Sequence, residues 1–92
     1  SRGSQLDIAN HYYATQDYQS AVDAYELFLK SYPSADEAGQ VALMQGLAYG
    51  RYLHQPHKAI EKLEKALQLL HFSREQDLAR AELERLMRTS QQ

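Results

Sequence analysis

Two stretches of this 92-residue chain are copies of one another. At a shift of 38 positions Ala21 falls on Ala59, Val22 on Ile60, Tyr25 on Leu63 and Leu29 on Leu67; at a shift of 37, Leu6 falls on Leu43, Ala9 on Gly46 and Tyr12 on Tyr49. Repetition at this period confines the fold to a stack of like units. One short unit cannot bury its apolar side alone, so a neighbour must cover it.

The unit is helical. Apolar residues recur at steps of three and four, strand-like alternation is missing, and only 4 Gly and 2 Pro interrupt the chain. Ser4 with Asp7 offers a cap for a first helix over 5–15, whose apolar side is Leu6, Ala9, Tyr12 and Tyr13. Asp17 can accept from the free amides of a second helix carrying Tyr18, Ala21, Val22, Tyr25, Phe28, Leu29 and Tyr32, and Pro33 stops it. Ser34 and Glu37 have capping-box spacing and are expected to open a third helix that turns Val41, Met44, Leu47, Ala48, Tyr52 and Leu53 inward and stops near His54. Pro56 suits the first turn of a fourth, buried along Ala59, Ile60, Leu63, Ala66, Leu67 and Leu70. Ser73 and Gln76 repeat the capping-box spacing ahead of a fifth, with Leu78, Ala79, Leu83, Leu86 and Met87 on its apolar side. The expectation is one domain over 4–88: hairpin one at 5–32, hairpin two at 35–71 and a capping helix at 74–88, with 1–3 and 89–92 as flexible ends. The one-residue difference between the two shifts is assigned to a longer turn around "HQPH".

With 43% apolar residues the chain can bury a core, although a domain of this size has little stability in reserve. A balance of 10 Lys and Arg against 12 Asp and Glu, without long runs of one sign, gives no reason to expect a nucleic-acid partner. The absence of Cys excludes disulfides and thiolate chemistry. No apolar run approaches the ~20 residues of a membrane-spanning helix, so no direct membrane insertion is expected of this segment. Lacking an initiator Met, it reads as a soluble fragment of something longer.

The small-then-large pattern carries a family resemblance. Ala9, Tyr12, Ala21, Tyr25, Phe28 and Pro33 in the first hairpin, and Gly46, Tyr49, Ala59, Leu63 and Ala66 in the second, resemble the tetratricopeptide repeat. His71 stands where the closing Pro of the second unit would be, and Leu63 replaces the aromatic. The stretch "DYQSAVDAYELFLKSYPSADEAGQVALMQGLAY" looks most like the longer-linked repeats of bacterial envelope proteins such as the Tol-Pal coordinator and the outer-membrane assembly lipoproteins. The resemblance implies an all-α, right-handed solenoid of two hairpins, and leans toward the periplasmic side of the bacterial envelope. The fifth helix has no clear register in the motif and reads as the cap that solenoids need. Independently of the family, Ala9, Ala21, Gly46 and Ala59 allow close approach of helix axes, and Gly46, costly in mid-helix, reads as a contact point.

Tyr18, Tyr25 and Tyr32 are spaced by seven, but the stripe spans about two heptads before Pro33, too short for a coiled-coil seam, so Tyr12, Tyr18 and Tyr25 are expected as core rings. His11, His54, His57 and His71 lack the converging ligands of a zinc site. Glu26 with Lys30, Glu61 with Lys65, Arg80 with Glu84 and Glu84 with Arg88 have the spacing of solvated i, i+4 pairs. Phosphate loops, nucleophile elbows and triads are missing, so no catalytic residue, metal or cofactor is expected and the chain is not read as an enzyme.

Surface recognition remains. In tetratricopeptide arrays the first helix of each hairpin lines the concave side. By register the resemblance assigns Leu6, Asn10, Tyr13, Leu43, Leu47 and Arg51 to a partner-binding face, with Asn10 and Arg51 orienting an apolar segment. Asn10 would suit the clamp of the chaperone-binding subset, but Leu6 and Met44 occupy other clamp places. The partner is expected to be another protein or peptide, possibly a second copy of the chain. The alternatives are a homo-oligomerisation module, an accessory domain of a membrane-associated protein, and burial of Leu6, Leu43 and Leu47 under the fifth helix or a neighbouring repeat.

Overall fold

A computed structural model describes residues 1–90, which form α1 (Arg2–Ala14), α2 (Tyr18–Ser31), α3 (Ala38–Arg51), α4 (Pro56–Leu69) and α5 (Ser73–Ser90), with no strand among them. The fold is all-α. α1 pairs with α2 and α3 with α4 as two helical hairpins, α2 packs on α3 to stack them as a tetratricopeptide-like solenoid, and α5 lies against α3 and α4.

Each hairpin turns through a left-handed residue, Gln16 (φ 66°) in the first and His54 (φ 54°) in the second, 38 positions apart like the helices that follow. A residue with a Cβ holds that conformation at a cost of roughly 1–2 kcal/mol. Past it, Asp17 caps α2, accepting from the Ser20 amide at 3.3 Å. Pro56 sits in the first turn of α4, where its missing N–H leaves nothing unpaired. The extra residue of the second turn lies just ahead of "HQPH": Tyr52 and Leu53 stand between α3 and His54, where Thr15 alone stands between α1 and Gln16.

The caps differ from expectation in three places. α1 starts at Arg2 with Ser1, not Ser4, as its cap, so residues 1–3 belong to the helical unit. Ser34 and Glu37 do not form a capping box. Two successive turns occupy this loop, with Ala35 donating to Tyr32 and Ala38 to Ala35, and α3 begins only at Ala38. The Glu37 carboxylate is drawn instead to Arg2, 3.6 Å away. At α5 the Gln76 amide reaches the Phe72 carbonyl, and the Gln76 side chain spends its donor on the end of α4, at the Leu70 carbonyl, 2.9 Å. At the other end α5 runs through Thr89 to Ser90; Gln91 and Gln92, expected as a flexible end, lie outside the described residues.

The buried residues form two clusters. Ala9, Ala21, Tyr25, Phe28 and Val41 join α1, α2 and the start of α3. A larger one runs from Val22 through Leu43, Leu47 and Leu63 to Ala79, Leu83 and Leu86 of α5. Small residues set the spacing. Ala9, Ala21, Ala59 and Ala66 have no exposed surface, and a Cβ at Gly46 would lie 2.5 Å from Leu63 Cδ2, so the predicted contact point is a real one. Gly39 is less able to yield, because there the obstruction is backbone: Leu69 C and Leu70 N, both at 2.9 Å.

Candidate protein-interaction site

α1, α3 and α5 lie side by side and run parallel. Arg2 meets Glu37 near the starts of α1 and α3, and Tyr13 meets Tyr52 near their ends. Likewise Gln40 meets Glu75 (3.4 Å) near the starts of α3 and α5, while Gly50 lies against Glu82 and Leu86 toward their ends. α5 thus stands to the second hairpin as α3 stands to the first. The two seams differ in width: Cα atoms of α3 and α5 approach within 8 Å, whereas those of α1 and α3 nowhere do.

The wider seam holds a cleft of roughly 310 Å³. Leu6 supplies an apolar wall from α1, and Val41 and Met44 from α3; Asn10, Gln40 and Glu37 add polar groups. At its base the Tyr25 hydroxyl donates to Asn10 Oδ1 at 2.5 Å. Burial, with a further push from nearby Tyr13, raises the Tyr25 hydroxyl to about 12, so it remains a donor at any physiological pH. That bond fixes the Asn10 amide and leaves its NH₂ group for a ligand. Glu37 Oε1 has no hydrogen-bond partner in the protein.

Toward the ends of the helices the seam is stoppered by rings. Tyr18 and Tyr52 stack with centroids 3.9 Å apart and planes 2° from parallel, and Tyr13 meets both edge-on at 5.2 and 6.4 Å. Tyr13 packs against both buried clusters and spaces α1 from α3. Burial raises the Tyr13 hydroxyl, helped by Tyr52 and Tyr18 and opposed by the Arg51 charge. Beside the rings, Glu82 is buried and accepts from Arg51 Nε (3.4 Å) and from Arg85. Arg85 also donates to the Gly50 carbonyl. Burial pushes the Glu82 carboxyl up, but the hydrogen bond and charge of Arg85, with Arg51, outweigh it and leave Glu82 below the usual carboxylate value.

Of the six residues expected on the partner-binding face, Leu6 and Asn10 line this cleft and Tyr13 belongs to the rings at its end, while Arg51 precedes Tyr52 of those rings and bonds to Glu82 of α5. Leu43 and Leu47 do not line the cleft. They are 4% and 6% exposed, in the core that α5 closes with Ala79, Leu83 and Leu86, which leaves them almost no surface for a partner in this chain. The charge pairing also departs from the i, i+4 reading. Glu26 bonds across the hairpins to Lys62 (2.7 Å) and Gln45 (3.0 Å) rather than to Lys30, and Arg80 bonds to Asp77; Glu84 and Arg88 do meet, at 3.9 Å. Glu82 and Gln45 escaped notice in the sequence. The signal for both was a polar residue inside an apolar stripe: Glu82 among Ala79, Leu83 and Leu86, and Gln45 among Val41, Ala42, Ala48 and Tyr49.

No curated protein and no solved structure matches the chain. A family model does: residues 1–88 match the one described as YfiO, outer membrane lipoprotein. The match spans both hairpins and nearly all of α5, so the helix without a register in the repeat motif is included. The chain, an array of tetratricopeptide-like hairpins with an open cleft between its parallel first helices, belongs to the YfiO family of outer membrane lipoproteins.

Proposed function

We propose that this domain is a protein-interaction module that docks a segment of a partner protein in the cleft between α1 and α3. The observation that carries the reading is the unequal width of two otherwise equivalent seams: one is filled by leucines, and the other is left open with apolar walls and aligned polar groups. Leu6 and Met44 supply the apolar burial, while the Asn10 amide and the Arg51 guanidinium orient the guest, a division typical of peptide-docking grooves. Membership in a family that acts in outer-membrane protein assembly through protein contacts supports this reading, and supports a place at the bacterial envelope.

A photo-crosslinking residue at Gln40, on the cleft, should give a discrete adduct with a partner protein in cells that express the family's host machinery. The same residue at Leu27, 58% exposed on the outer side of α2, should not. Met44→Glu should abolish the adduct at Gln40 with helicity unchanged. Equal labelling from both positions, or an adduct only with a second copy of the chain, would contradict partner docking.

A further inference from the structure

Resting on the docking reading above, we infer that the aromatic end of the seam receives an acidic, ring-bearing stretch of the partner, its side-chain carboxylate on Arg51 and its planar ring on Tyr52. Tyr52 is stacked on one side by Tyr18 and met edge-on by Tyr13, yet it is 43% exposed, so part of its ring remains open to a guest. An open phenol ring alone does not choose among guests, since it accepts another ring or a cation. The neighbouring charges choose. Arg51 and Arg85 share one carboxylate, that of buried Glu82, which leaves an excess of one positive charge beside the rings. That excess repels a cationic guest and attracts a carboxylate.

Arg51 is also built to hold one. Only its Nε is engaged, at 3.4 Å from Glu82 Oε1, and its side chain is 43% exposed. Among the described residues its two terminal nitrogens have no hydrogen-bond or ion-pair partner. A guanidinium anchored at Nε presents a fixed planar edge, the geometry that takes a carboxylate through two parallel bonds. The rings and the charges form one site, because Tyr52, which carries the ring cluster, directly follows Arg51, which is bonded to Glu82. The carboxylate-binding edge and the open ring lie on successive residues, 51 and 52, which sets a guest whose acidic and aromatic side chains are close in sequence.

The test uses the full chain and three fluorescein-labelled octapeptides, alike except at two central positions: Glu-Trp, Lys-Trp and Glu-Ala. Anisotropy titrations should show Glu-Trp binding about tenfold or more tighter than either of the others, and weakening as salt is raised. Arg51→Ala should erase the preference for Glu over Lys, and Tyr52→Ala the preference for Trp over Ala; both residues are exposed, and circular dichroism should confirm unchanged helicity. Lys-Trp binding as tightly as Glu-Trp, no binding by any peptide, or Arg51→Ala leaving the preference intact would overturn the inference. Docking itself is read separately: if the Gln40 adduct survives Arg51→Ala and Tyr52→Ala but is lost with Met44→Glu, the cleft docks its partner and the acidic-aromatic guest is wrong.

Discussion

α1 meets α3 with Leu6, Asn10 and Tyr13; α3 meets α5 with the residues 37 positions further on, Leu43, Leu47 and Gly50. The helices stand in the same relation in both places, yet one seam is open and the other shut. The side chains explain it, since interhelical distance follows the size of what lies at the contact. Where Tyr13 wedges α1 away from α3, Gly50 presents no side chain, and a Cβ there would lie 2.9 Å from Glu82 Oε2 and 3.3 Å from Leu86 Cδ1. Where Asn10 keeps a polar group at the cleft, Leu47 joins the core. A repeated backbone can thus carry a recognition surface in one unit and a sealed joint in the next, through two substitutions in register, Asn10 for Leu47 and Tyr13 for Gly50.

The largest expected effect falls on the shut seam. Leu47→Ala should cost about 2–5 kcal/mol in urea unfolding, for lost burial and the cavity left behind. Asn10→Ala, at the equivalent place in the open seam, should cost only about 1 kcal/mol, for one hydrogen bond to Tyr25. Equal losses would mean that the seams are not different in kind. Next, Gly50→Leu should wedge α5 from α3 as Tyr13 wedges α1. Overpacking of about 1–3 kcal/mol is expected, with amide exchange accelerating in α5 but not in α2.

The smallest effect is the acid limb of stability. Glu26, held low by its hydrogen bond from Lys62 and then from Gln45, and Glu82, held low by Arg85 and Arg51 against its burial, both ionise more readily in the folded chain than in the unfolded one. A depressed carboxyl contributes stability in full above its unfolded value, about 4.5, and loses it as pH falls through the lower folded value. Stability should therefore be level above about pH 5 and decline below about 4.5. Glu82→Gln and Glu26→Gln should each make that decline shallower; a decline unaltered by both would remove these pairs from the explanation.

Much of the architecture was legible because repetition writes it twice. The matching of Ala21 with Ala59 and of Tyr25 with Leu63 followed from register, and Gly46 was legible as a contact point from its cost in mid-helix, though its partner Leu63 was not. Register says which residues are alike, not which neighbour arrives, and so it assigns Leu43 and Leu47 to the concave face with burial under the fifth helix as the alternative; α5 does cover them. α5 could not decide between the two readings, as its sequence lacks the small-then-large motif that its position would suggest. The cleft was half legible: Leu6 and Asn10 are assigned to it by the register of the tetratricopeptide resemblance, but Glu37, Val41 and Met44 join them only once α2 has carried the chain back. The capping boxes misled for a physical reason. Glu37 and Gln76 had better partners in tertiary structure, Arg2 and the Leu70 carbonyl, than in their own helix ends.

The absence of cysteine allows the contrast between seams to be measured directly, by placing a single thiol at either of two matched positions. Asn10→Cys and Leu47→Cys would each be treated with a small thiol reagent under native conditions, with the unfolded chain as reference. The thiol at position 10 should react at close to the unfolded rate. That at position 47 should be slowed about 100-fold or more, the factor set by a local opening of roughly 3 kcal/mol. Comparable rates at the two positions would show that α5 does not seal what α1 leaves open, and would contradict the origin of the cleft proposed above.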